Sequence, residues 1–167
     1  MQKPDRIIAV DPDVDKSGVA ELHVPSRQVN MTALTFPALV DYLSFMKEEY
    51  AGKAAEQLLV VIEAGWLNES NWHLKTTRSF AAAAKIGQST GRNHETARKI
   101  AEMSRHIGLD TIEVRPLQKC WRGRDGKITH KELEYIIGNM PQRTNQEMRD
   151  AALLAWCHAG LPLKIKT

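Results

Sequence analysis

Four acidic residues stand where their chemistry is easiest to combine. Asp11 closes the apolar run Ile7–Val10, Glu63 closes the run Leu58–Ile62, and Glu147 and Asp150 lie three positions apart just ahead of the run Ala151–Ala155. Carboxylates are hard oxygen donors that select Mg²⁺ or Mn²⁺, and two such ions about 4 Å apart form a clamp for in-line phosphoester cleavage. Each acid alone reads equally well as a solvating group at a strand end or a charge on a helix face. As a set, they would repel one another unless cations offset the charge.

A second feature complements the first. Residues 1–63 carry 6 basic and 10 acidic side chains, whereas 64–167 carry 17 and 10, giving −4 and +7 and the overall +3. Between Arg115 and Lys131, a span that includes Lys119, Arg122, Arg124 and Lys127, the one acidic residue is Asp125. An acidic first part and a basic second part suit a protein that holds cations in one place and polyanion phosphates around it. A solvated charged surface is the plainer alternative.

Other chemistries fall away. Asp11, Asp13 and Asp15 imitate the start of an EF-hand loop, but Lys16 stands where the glycine must turn and Leu22 where the bidentate glutamate belongs. The segment ending at Glu132 fails likewise, with Trp121 and Gly123 at ligand positions. Cys120 and Cys157 are too few for a disulfide scaffold or structural zinc. With 43% hydrophobic and 26% charged residues and no long apolar run, the 167-residue chain reads as one soluble, cytoplasmic globular domain without a membrane span.

The elements that must position these residues follow from periodicity. The run Arg6–Asp11 predicts a strand buried on both faces. Alternation over 17–24 and 28–36, joined by a turn at Pro25-Ser26-Arg27, predicts two more strands in a meander. Pro37 opens a helix with Leu39, Val40, Leu43 and Met46 at helical spacing, ending at Gly52. Leu58–Glu63 then returns as a parallel strand, so Asp11 and Glu63 are expected at adjacent central strand ends, where open α/β sheets place ligand sites. A polar loop spans 64–75. Residues 76–108 predict a helix interrupted near Gly87 to Gly91, with Ser89, Thr90 and Asn93 available as caps. Thr111–Arg115 is a short strand, and 129–138 and 144–159 are helices. Glu147 and Asp150 share one face of the last.

Five segments in this order resemble the RuvC family of Holliday junction resolvases, whose fold is RNase H-like. Ile7-Ile-Ala-Val-Asp11-Pro12 with Ser17-Gly18 is similar to the family's first-strand motif, and Glu63-Ala-Gly-Trp66 to its second. Ala84-Lys-Ile-Gly-Gln-Ser-Thr-Gly91 resembles a helix bearing a GQxxG pattern. Pro116-Leu-Gln-Lys119 with Lys131 resembles the segment carrying two functional lysines, and Glu147-Met-Arg-Asp150-Ala-Ala-Leu the closing acidic motif. Asp13 stands where the family usually has glycine, Glu147 where aspartate is commoner, and the loop after Trp66 is longer.

The resemblance implies an α/β fold over residues 1–167, a mixed central sheet of a three-strand meander plus parallel strands, flanked by helices. It implies a crossover junction endonuclease in which Asp11, Glu63, Glu147 and Asp150 hold two Mg²⁺, with Mn²⁺ as a substitute. Lys119 and Lys131 would neutralise the scissile phosphate, and Arg115, Arg122, Arg124 and Lys127 would join them on DNA. Trp66 would stack at the junction centre, or else anchor its loop. The implied partners are branched DNA, a second copy of the chain and a branch-migration motor. The small-residue face Ala81–Ala84 suits a helix contact between copies or packing on the sheet. Trp121 and Trp156 are expected to pack, Trp72 is undecided, and His73, His94, His130 and His158 have no metal-ligand spacing. The rival readings are a flap or other branched-DNA nuclease, a non-catalytic junction-binding protein, and one lobe of an actin-like kinase, for which the chain is short.

Overall fold

The structure, a computed structural model, describes residues 4–53, 57–68 and 79–163. Five strands, β1 (Arg6–Asp11), β2 (Ser17–His23), β3 (Gln28–Leu34), β4 (Leu58–Glu63) and β5 (Asp110–Val114), form one sheet in the order β3-β2-β1-β4-β5. The first three make an antiparallel meander, and β1, β4 and β5 run parallel. Helix α1 (Phe36–Tyr50) leads from β3 to β4 and α2 (Phe80–Ile107) from β4 to β5, and α3 (His130–Ile137) and α4 (Gln146–His158) follow β5.

Alternation along the strands divides the core into two layers. Ile7, Ala9, Ala20, Leu22 and Val61 face α3 and α4, meeting Leu133, Ile136 and the stretch Ala151–Trp156. Ile8, Val10, Val19, Val60 and Ile62 face the other side, against Leu39, Leu43 and Met46 of α1 and Ala97, Ile100 and Ala101 of α2. Strand β1 is thus sealed on both faces, with Ile7 through Val10 at 0% exposure. Each large side chain buried this way stabilises the fold by roughly 1.5–3 kcal/mol. Trp156 is buried as expected and donates its indole N–H to the Pro162 carbonyl.

One expectation is overturned. α2 is a single helix through Gly87 and Gly91, and its cap is Ser79, whose hydroxyl accepts from the Ala82 N–H. Each glycine costs only about 1 kcal/mol against alanine, and Ala81 to Ala84, Lys85, Gln88 and Arg92 are strong helix formers on either side. Ser89, Thr90 and Asn93 therefore lie inside the helix, which ends at Gly108 in the left-handed conformation. The predicted start at Thr76, most of the loop after Trp66, and Trp72 and His73 lie outside the described residues. Among the described residues no helix is long and apolar enough to cross a membrane.

Candidate active site

Strand register sets the first two acids. Val10 pairs with Ile62 across β1 and β4, so Asp11 and Glu63 emerge together at the carboxyl ends of adjacent central strands. Asp13, in the turn that follows, uses its carboxylate to accept from the Asp15 N–H at 2.9 Å, while the Ser17 hydroxyl bonds to the Asp13 backbone. This acid builds the turn that a glycine would otherwise ease.

The other two acids arrive on α4 by close backbone contact. Gly18 lies opposite Asp11 in the β1–β2 pair, and a Cβ placed on it would stand 1.9 Å from the Glu147 carbonyl oxygen and 2.7 Å from the Met148 nitrogen. Only glycine lets the first turn of α4 rest directly on β2. That turn is capped by Asn145, which accepts from the Met148 N–H at 2.8 Å.

Asp11, Glu63 and Asp150 line one cavity of about 100 Å³, closed by Pro116, Leu117, Trp121, Ile128 and Leu153 and reached by Lys119 and Lys127. Glu147 is not in the cavity wall, but its charge adds to the field on Asp11. Burial first, then the neighbouring carboxylates Glu63 and Asp150, push the Asp11 carboxyl well above the usual range. Glu63 is pushed up to about 6 by burial and by Asp150, against Lys119, Lys127 and a hydrogen bond from the Leu117 N–H. Burial also raises Asp150, with Gln146 and Lys127 opposing.

A network omitted from the sequence reading holds Asp150. The Gln146 amide donates to Asp150 Oδ1 at 2.7 Å and to the Ile128 carbonyl at 3.2 Å. Arg149 donates to the Ile128 carbonyl, the Thr144 carbonyl and hydroxyl, and Gln146 Oε1. These bonds tie α4 to the connection between β5 and α3. Gln146, one turn before Asp150, is at a spacing that helix geometry makes a contact.

That connection is itself folded. The Trp121 N–H donates to the Gly126 carbonyl and the Gly123 N–H to the Lys127 carbonyl. Asp125 and Gly126 both have positive φ, and a Cβ on Gly126 would sit 3.1 Å from Lys119. The loop thereby presents Lys119 and Lys127 on the cavity, the latter with Nζ 3.6 Å from Asp150 Oδ2. Lys131 is exposed on the first turn of α3 and does not line the cavity. Arg115, Arg122 and Arg124 are exposed and do not line the cavity either. Trp121 both lines the cavity and packs on the core.

Trp66 lies in a 3₁₀ turn just past Glu63, partly buried against the α1 and α2 layer. The Arg98 guanidinium stands 4.8 Å from its ring centroid, and the His94 ring meets it edge-on at 5.9 Å. Sequence reasoning missed both partners, which come from the middle of α2.

The donors fit a hard dication. They are all carboxylate oxygens, and burial raises the proton affinity of each, with neighbouring carboxylates adding to it at Asp11 and Glu63. Among the described residues, no three His, Cys, Asp or Glu side chains are drawn close enough to cage an ion as they stand, and Lys127 lies among them.

The meander, the parallel strands, the flanking helices and acids at the ends of β1 and β4 define an RNase H-like fold. A solved structure similar to this chain is that of Thermus thermophilus RuvC in complex with Holliday junction substrate, with a TM-score of 0.51, 12% identity and 92% of each chain covered. No protein-family model and no curated protein matches the sequence.

Proposed function

We propose that this chain is a divalent-metal-dependent endonuclease that cleaves branched DNA, with the four-way junction as its substrate. The observation that carries the reading is the convergence of Asp11, Glu63 and Asp150 on one cavity, with Glu147 beside it and two lysines at its rim. These four acids would hold two Mg²⁺ or Mn²⁺ ions, and the chemistry such ions would supply there is water activation and stabilisation of charge on the leaving oxygen. Lys119 neutralises charge on the scissile phosphate from the cavity edge. Lys131, Arg115, Arg122 and Arg124, all exposed, would contact flanking phosphates, a role that fixes position rather than sequence.

Trp66 is assigned to the opened junction centre. It stands beyond Glu63 on the same strand exit, and Arg98 and His94 hold its ring in place for stacking on unpaired bases. A homodimer belongs to the same reading, because a four-way junction is two-fold symmetric and an isologous pair places two incisions symmetrically. Supporting it, α2 has no buried residue before Ala97, and Phe80 at its start is 92% exposed. Within Ala81–Ala84, Ala81 and Ala84 are exposed and Ala82 and Ala83 half-buried.

Cleavage of a mobile four-way junction, a flap and a plain duplex, each with Mg²⁺ and with EDTA, tests the proposal. Paired nicks in the junction that require Mg²⁺ are expected. Preference for the flap would move the assignment to the related branched-DNA nucleases, and binding without any cleavage to a junction-binding protein.

A further inference from the structure

Lys127 enters the sequence reading as one more basic residue for the DNA backbone, but its position is of another kind. It lines the same cavity as Asp11, Glu63 and Asp150, with its ammonium 3.6 Å from Asp150 Oδ2. Its positive charge acts on all three carboxylates, whereas Lys119 acts chiefly on Glu63. Its backbone is fixed on both sides, the N–H donating to the Arg124 carbonyl at 3.1 Å and the carbonyl accepting from Gly123 at 2.9 Å. The side chain keeps 36% of its surface exposed. An anchored base, a flexible four-carbon stem and an open outer side let the ammonium enter or leave the cavity without moving the loop. Arg149, the other cation near Asp150, is tied to Ile128, Thr144 and Gln146 and has no such freedom.

We infer that Lys127 is the resident counter-ion of the acidic cavity, and that a divalent ion loads by displacing its ammonium. The inference rests on the divalent-ion reading of the four acids. A cavity of about 100 Å³ does not hold an ammonium and a dication against the same carboxylates without strong repulsion. Released, the ammonium swings to the outer rim, where it faces an incoming phosphate. Lys127 is in this sense a positioning residue: it offsets the repulsion among the metal-free acids and gives up its place when the site loads.

The test compares wild type with Lys127→Met, which keeps the stem and removes the charge, and with Lys119→Met as the matched loss of charge at the same cavity. Thermal unfolding in EDTA reads the counter-ion role, and calorimetric titration with Mg²⁺ reads displacement. Lys127→Met is expected to unfold about 2–4 °C lower in EDTA and to bind Mg²⁺ roughly tenfold more tightly, while Lys119→Met tightens it by no more than about threefold. Adding Asp150→Asn to Lys127→Met should restore the metal-free melting temperature, which separates charge relief from general damage. Equal Mg²⁺ affinities for the two lysine variants, or no loss of stability in EDTA, overturn the inference. Absence of Mg²⁺ binding by all the proteins defeats the divalent-ion reading and the displacement with it, whereas metal binding with no difference between variants defeats the displacement alone.

Discussion

Asp11 and Glu63 leave strands whose preceding residues, Ile8 to Val10 and Val60 to Ile62, are wholly buried, whereas Lys119 and Lys127 ride on turns shaped by backbone hydrogen bonds and two positive-φ residues, between core contacts at Leu117, Trp121 and Ile128. The acidic wall of the cavity is therefore fixed by the core, and the basic wall by local turn geometry. The difference teaches which half can adapt. Acids that must hold an ion need a rigid frame, since a misplacement of even 1 Å is costly in a catalytic site. Cations that meet a flexible polyanion gain from side-chain freedom. Trouble in the acidic wall should thus appear as lost chemistry, and trouble in the basic wall as altered affinity.

The largest expected effect is that of Asp11→Asn. If Asp11 is a metal ligand as proposed, its removal should lower junction cleavage by roughly a thousandfold or more, from several kcal/mol of lost transition-state stabilisation, with junction binding retained. In the metal-free state the variant should be at least as stable as wild type, because burial and its neighbours disfavour the Asp11 charge. A marked loss of stability would make Asp11 structural and erase the contrast between the walls.

Gly18→Ala probes the frame without touching an acid. Its methyl group would meet the Glu147 backbone, so α4 must shift, at a cost of roughly 1–3 kcal/mol in urea unfolding together with weakened Mg²⁺ affinity. Wild-type stability and cleavage in this variant would show that α4 is not seated by that contact. Trp66→Ala should lose roughly 1–3 kcal/mol of base stacking and leave metal binding unchanged. Fluorescence of 2-aminopurine at the crossover reads the unstacking, and an equal signal from both proteins would return Trp66 to the role of loop anchor.

The smallest effect is electrostatic. Glu63 is raised from 4.5 to about 6 in the folded chain. The folded state then binds its proton more tightly than the unfolded state, so the charge costs nothing below the unfolded value and its full amount above about 6. In EDTA, Glu63→Gln should be more stable than wild type at pH 7.5 by about 1–2 kcal/mol, with the difference fading as the pH falls towards 4.5. A constant difference across that range would mean that Glu63 feels no such field.

The acidic wall was legible in the sequence because its signal is local: an apolar run ending in a carboxylate is a buried strand delivering an acid at its end, and Glu147 and Asp150 at helical spacing precede a buried helix face. The basic wall was not, because charges in a sequence carry no depth. Lys127 and Arg124 look alike there, yet one enters the cavity and the other is exposed. Which lysine points inward depends on the turn at Asp125 and Gly126, and on a ring of bonds from Gln146 and Arg149 to the Ile128 carbonyl. The same limit applies to Trp66, whose partners His94 and Arg98 meet it only once α2 packs on the sheet. Gly87 and Gly91 misled because local breaking tendency is small beside the sum over a long helix.

That the acids form one metal centre is tested most directly by counting bound Mn²⁺ ions by electron paramagnetic resonance, in wild type and in Asp11→Asn. Two ions per chain in wild type and at most one in the variant are predicted. No Mn²⁺ bound by wild type at millimolar concentration, or the same number bound by both proteins, would contradict it.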